Sequence, residues 1–142
     1  MNESKNRVSK VRSDNMRAIR SAGNRSTELR LRGFLVRHRI AGWKLHAKQL
    51  TGAPDFLFRK RRLAVFVDGC FWHGCPRCGH IPKTNQEYWS QKITRNKRRD
   101  RSASHALRIG GYRVIRLWEC QLRNKPERCL TRIMRELTRD EG

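Results

Sequence analysis

No apolar run in this chain approaches the roughly 20 residues needed to cross a bilayer, and the longest, such as Leu63–Val67, fall far short. Membrane insertion is thereby excluded. The opening residues, Met1 to Arg12, are polar and basic with no apolar stretch behind them, which speaks against a secretory signal. The cytosol is the expected compartment. Acidic residues are scarce: 12 Asp and Glu stand against 34 Lys and Arg, a net charge of +22 and a pI near 11.4. That excess goes well beyond what solubility requires and points to a polyanionic partner. Cysteine is odd in number, five in all, and cytosolic thiol pools reduce exposed bridges, so reduced thiols or metal ligands are expected rather than disulfides.

What is present suffices for one domain. The 142 residues are 37% hydrophobic, enough for a single core. Residues 1–13, with Lys5, Arg7, Lys10 and Arg12 among Ser and Asn, bury too little to offset their ordering entropy and read as a mobile basic arm; 14–142 read as the domain. Ser13 can cap a short helix through Arg20 that stops before Gly23. From Thr27 to Ile40, Leu31, Phe34, Leu35 and His38 recur at amphipathic-helix spacing. Trp43–Ala47 and Asp55–Phe58 alternate as strands about a Thr51–Pro54 turn, and Leu63–Val67, apolar throughout, reads as a strand buried on both faces. Glu87–Ile109 reads as a long basic helix closed by Gly110 and Gly111, with Trp89, Ile93, Ala103 and Leu107 toward the core. Tyr112–Trp118 is a fourth strand. Pro126 opens a last helix carrying Leu130, Ile133, Met134 and Leu137. The order implies an α/β fold, a mixed sheet with helices on both faces.

Two sets of residues carry chemistry. Cys70-x4-Cys75-x2-Cys78 gathers three thiols in one loop, and Cys120 follows the fourth strand, where a sheet could bring it close. Four thiolates make a closed, structural zinc site; His80 is an alternative ligand, and Cys129, beside Leu130, reads as a core thiol. Among the few acids, Asp55 follows Pro54 at a strand start and could hold a hard divalent cation. Asp68 ends the next strand, His73 could transfer protons, and Glu28 on the first long helix is a further acid. Strand-end carboxylates beside a basic surface suit metal-assisted phosphodiester cleavage. Each has a plainer counterpart: a turn for Asp55, a backbone cap for Asp68, zinc ligation for His73.

Val65-Phe66-Val67-Asp68-Gly69-Cys70-Phe71-Trp72-His73-Gly74-Cys75-Pro76 resembles the signature of the very short patch repair (Vsr) endonucleases. Asn15–Ile19, Gly52–Phe56, Pro82–Asn85, Tyr88-Trp89, Gly111–Val114 and Trp118–Cys120 agree in order, so the resemblance covers about residues 14–138. It implies a restriction-endonuclease-like fold with structural zinc, and a magnesium-dependent enzyme that nicks double-stranded DNA 5′ to the thymine of a T·G mismatch left by 5-methylcytosine deamination. By the same resemblance Asp55 and the Val67 carbonyl bind magnesium, His73 handles the attacking water, and Glu28 supports them. Asp68 stands where the pattern has a histidine and is a candidate for direct metal binding. Cys75 and Cys78 stand where the pattern has a histidine and a different spacing, and an all-cysteine site still suits zinc. Met16, Phe71, Trp72 and Trp89 match residues that wedge into the duplex, with Phe71 and Trp72 favoured because Trp89 also falls at a helical core position. Lys92 and Asn96 match mismatch-contacting positions, while Lys97–Arg99 and the arm read as phosphate contacts. A monomer would suffice, with other repair proteins as further partners. The competing reading is a zinc-stabilised nucleic-acid-binding module, which would have no need of Asp55 or His73.

Overall fold

The computed structural model describes residues 26–139. The basic arm, the Ser13–Arg20 helix and Met16 lie outside the described residues. Helix α1 covers 26–37, followed by strands β1 (Trp43–Leu45), β2 (Phe56–Phe58) and β3 (Leu63–Asp68), helix α2 (Gln86–Ile109), strand β4 (Arg113–Trp118), and helices α3 (Glu119–Asn124) and α4 (Pro126–Leu137). The strands form one sheet in the order β1-β2-β3-β4. The first two pairings are antiparallel, and β3 pairs β4 in parallel. The tight turn at 59–62 permits the antiparallel β2–β3 return, whereas the parallel step needs the long crossover that α2 supplies.

All six residues of β3 are buried, and their alternation builds two cores. Leu63, Val65 and Val67 face a large core with Leu31 and Leu35 of α1, Leu122 of α3, and Cys129, Leu130 and Ile133 of α4. Ala64 and Phe66 face the other side, against Leu107 of α2 with Ala47 and Leu57. Three layers result, each fully buried large side chain contributing about 1.5–3 kcal/mol. Gly52 lets the turn before β2 press on α2: it adopts φ +79, and a Cβ there would stand 2.8 Å from the Cβ of Ala103.

The expected elements appear with shifted ends, and each shift has a local cause. β1 ends at Leu45 because His46 takes φ 52, outside the strand region. Ala47 is buried nonetheless. α1 gives way to a turn at His38 and Arg39, where φ is 57, so His38 is exposed rather than on the apolar face. Met134 is likewise 44% exposed. Trp89 is half-buried among other aromatics, not in the core, whereas Ile93, Ala103 and Leu107 are buried as the periodicity requires. The six-residue helix α3 is too short for a periodicity to announce it.

Candidate active site and cysteine cluster

Asp55 enters β2 directly after buried Pro54. Its Oδ2 accepts a 2.7 Å hydrogen bond from the backbone N–H of Val67 on β3, which fixes one carboxylate oxygen against the sheet. Burial pushes this carboxyl up to about 7 against the pull of that hydrogen bond, and the neighbouring Glu28 carboxyl adds to the rise. Glu28 reaches in from α1 and lies 3.3 Å from Nε2 of His46. One ligand atom from each of Glu28, His46 and Asp55 falls within 4.8 Å of the others.

Asp68 and His73 lie beyond, on the face that α2 covers. Asp68 is 4% exposed, and burial raises its pKa although Arg116 on β4 approaches both of its oxygens, at 3.0 and 3.2 Å. The His73 Nδ1 is 2.5 Å from Oδ2 of Asp100 and 3.8 Å from Asp68. Arg116 also donates to Ser104 at 2.8 Å and to the Asp100 carbonyl at 3.2 Å, and its guanidinium carbon sits 4.0 Å from the centre of the Phe66 ring. Asp55, Asp68, His73, Asn96, Asp100 and Arg116 line one cleft of about 240 Å³, which Val67 also borders.

Asp68 pairs with Arg116, and one ligand atom from each of Asp68, His73 and Asp100 also falls within 4.8 Å of the others. Three residues of this region escaped the sequence reading: His46, Asp100 and Arg116. Asp100 left a trace, being the sole acid between Glu87 and Glu119 and lying inside the run Lys97-Arg98-Arg99-Asp100-Arg101. Arg116 left another, a charge at an interior strand position.

The cysteine cluster follows from strand register. Asp68 of β3 pairs with Trp118 of β4, so Cys70 and Cys120, each two residues further on, leave adjacent parallel strands side by side. The loop after Cys70 turns back through hydrogen bonds from Cys75 to Cys70 and from Gly79 to Cys75, both 2.9 Å. Gly79 must lack a side chain, because a Cβ would lie 2.6 Å from the Cys75 carbonyl oxygen. The Sγ atoms of Cys70, Cys75, Cys78 and Cys120 lie within 4.8 Å of one another. Cys75 and Cys120 are 3.8 Å apart, matching the edge of about 3.8 Å in a tetrahedron with 2.3 Å zinc–sulfur bonds. Burial would raise the Cys75 thiol, but hydrogen bonds from the backbone of Cys78 and Arg77 and from neighbouring thiols lower it to about 7, while burial raises Cys70. This soft, closed donor set fits zinc. His80 is exposed and stands outside the quartet, its ring 6.2 Å from that of Phe71. Cys129 is buried in the large core.

Beside the cleft, Phe71, Trp72 and Trp89 meet edge-on at centroid distances of 5.2 to 5.7 Å, and Tyr88 abuts Trp89 at 5.0 Å. Lys92 lies over three of these rings, 5.3 Å from that of Trp72, and Asn96 donates to the Trp72 carbonyl at 3.0 Å. Burial differs among the rings: Trp72 is 5% exposed, whereas Tyr88 is 47% exposed. Phe71 and Trp89 are partly exposed. The three expected rings, Phe71, Trp72 and Trp89, thus form one cluster that Tyr88 extends.

A mixed sheet flanked by helices, with carboxylates and a histidine around one cleft and a separate cluster of four thiols, defines a class of α/β protein with potential metal centres. The comparisons narrow it. Residues 7–78 match the family described as DNA mismatch endonuclease Vsr. The chain is 36% identical over 137 residues to the DNA mismatch endonuclease Vsr of Escherichia coli, covering 93% of this chain and 86% of that protein. It is 44% identical over 110 residues to the type II nicking enzyme V.XorIIP of Xanthomonas oryzae, covering 75% and 78%. Its identity to the type II nicking enzyme V.NaeI of Lentzea aerocolonigenes is 43% over 112 residues, 76% and 67% of the two chains. The chain belongs to the Vsr DNA mismatch endonuclease family.

Proposed function

We propose that this protein is a DNA endonuclease that nicks one strand of a duplex 5′ to the thymine of a T·G mismatch, by magnesium-assisted phosphodiester hydrolysis in very short patch repair. The observation that carries the reading is the convergence of Asp55 and His73 on one cleft in a chain of net charge +22, within a family whose members bear endonuclease names. The four-stranded sheet with its long crossover helix is consistent with a restriction-endonuclease-like fold.

Asp55 and the Val67 carbonyl supply hard oxygen donors suited to a divalent cation, with Glu28 beside them. Bound there, the cation would neutralise phosphate charge and stabilise the leaving oxygen. With Nδ1 of His73 held by Asp100, proton transfer from the attacking water falls to Nε2. Phe71, Trp72 and Trp89, with Lys92 and Asn96 beside them, contact the mismatched step, where unstacking costs least. The four cysteines hold structural zinc, which anchors the loop bearing His73. The protein acts as a monomer in the bacterial cytoplasm; among the described residues no helix is long and apolar enough to cross a membrane.

The test incubates the protein and magnesium with labelled duplexes carrying one T·G mismatch in several sequence contexts, beside T·A controls. A nick on the thymine strand alone, abolished by EDTA and by Asp55→Asn while duplex binding persists, is expected. Binding without a nick in any context would instead identify a binding module.

A further inference from the structure

Two groups of carboxylates and histidine occur near the cleft, and their charge differs. In the group of Asp68, His73 and Asp100, a positive partner is already in place: Arg116 lies 3.0 Å from Asp68 and 3.8 Å from Asp100. That guanidinium already offsets the negative charge a cation would answer. In the second group the carboxyl groups of Glu28 and Asp55 meet beside the imidazole of His46.

Three features make His46 more than a neighbour. Its Nε2 is 3.3 Å from Oε2 of Glu28, close to the roughly 3 Å edge between adjacent ligands in an octahedral shell with bonds near 2.1 Å. Its backbone N–H donates to the Asp55 carbonyl at 3.1 Å, so the two residues are tied across the β1–β2 pair. The ring is about half exposed, so it can receive a hydrated cation with little desolvation. Asp55 has one oxygen committed to Val67, and its carboxyl also meets that of Glu28, so a cation bound between them would replace the proton the two carboxyls share.

We infer that His46 is a ligand, with Asp55 and Glu28, of the divalent cation, making a mixed nitrogen–oxygen site that prefers a first-row transition ion such as Mn2+ to Mg2+. Magnesium keeps to oxygen donors and gives up water reluctantly; imidazole best suits the later first-row ions, and Mn2+, at the weak end of that row, also takes the carboxylates of this site and serves as the paramagnetic probe. The inference rests on the reading of Asp55 as a metal-binding carboxylate.

Mn2+ binding to the full-length protein, followed by electron paramagnetic resonance with Mg2+ as competitor, tests it without activity as the readout. Spin-echo modulation from a directly bound imidazole nitrogen is expected on the bound Mn2+. His46→Gln, which offers oxygen in place of nitrogen, should abolish that modulation and weaken Mn2+ binding roughly tenfold, with Mg2+ affinity held within about twofold. Asp55→Asn should remove the binding altogether. Normal Mn2+ binding without nitrogen modulation, or with His46→Gln indistinguishable from the parent, would overturn the ligand role of His46 alone. Mn2+ binding undiminished in Asp55→Asn would overturn the reading of Asp55, and the inference with it.

Discussion

Asp68 leaves the end of β3 on a face covered by α2, where a buried carboxylate without a partner is costly. Arg116 answers it from the adjacent strand, and removing one partner should cost more than removing both. Arg116→Met is expected to destabilise by about 3 kcal/mol in chemical denaturation, the low end of the buried-pair range because the guanidinium keeps some exposure. Adding Asp68→Leu should recover most of that loss. Asp55 makes a separate prediction in pH. Its carboxyl titrates near 7 in the folded chain against 3.8 ordinarily, so the native state retains a proton that the unfolded chain releases. The resulting stability is complete below about pH 4 and is lost as pH rises through 7. Metal-free protein should therefore lose about 1–2 kcal/mol over that interval relative to Asp55→Asn, discounted for partial solvation. Denaturation curves of the two proteins across pH measure the difference.

At the scale of elements, the loop after β3 carries Cys70, Cys75 and Cys78 together with His73, and their meeting with Cys120 depends on the β3–β4 register. Cys120→Ser is expected to lower the melting temperature by several degrees and to make it insensitive to zinc chelators, whereas the parent should fall when chelated. Gly79→Ala should produce the same loss through the backbone, since its Cβ would meet the Cys75 carbonyl oxygen. Calorimetry with and without chelator separates these variants from a general loss of core packing. The strands and long helices were legible because β3 is apolar throughout and α2 repeats its apolar residues at helical spacing. Their ends were less so: β1 stops where His46 adopts a positive φ, and positive φ at a non-glycine residue leaves no compositional mark.

For the whole molecule the charge of +22 dominates encounter with DNA. Duplex affinity is expected to fall by about 10³ between 50 and 200 mM salt if some six phosphates are contacted. Lys97→Ala should reduce the slope of log affinity against log salt by about one without changing mismatch preference, as filter binding at several salt concentrations would report. The neighbourhood of Asp55, Asp68 and His73 was legible because few acids compete for attention in so basic a chain. Asp100 and Arg116 were not, since α2 and β4 are distant in sequence from His73 and join it only through the parallel crossover. The aromatic residues were legible from the motif, but their packing into one cluster was not, because Phe71 and Trp72 meet Trp89 only when α2 lies across the loop after β3.

The sequence by itself determined the basic surface, the alternation that builds two cores on β3, and the four thiols of one soft donor set, because composition, period and spacing act locally. Tertiary structure decided which charges meet. Pairing Asp68 with Trp118 in parallel register sets Cys120 beside Cys70 and Arg116 beside Asp68. The turn into β2 brings Asp55 to Val67, and α1 lays Glu28 against His46. Those meetings depend on long-range strand pairing and helix packing, whose energy is spread over the cores rather than written at the residues they bring together.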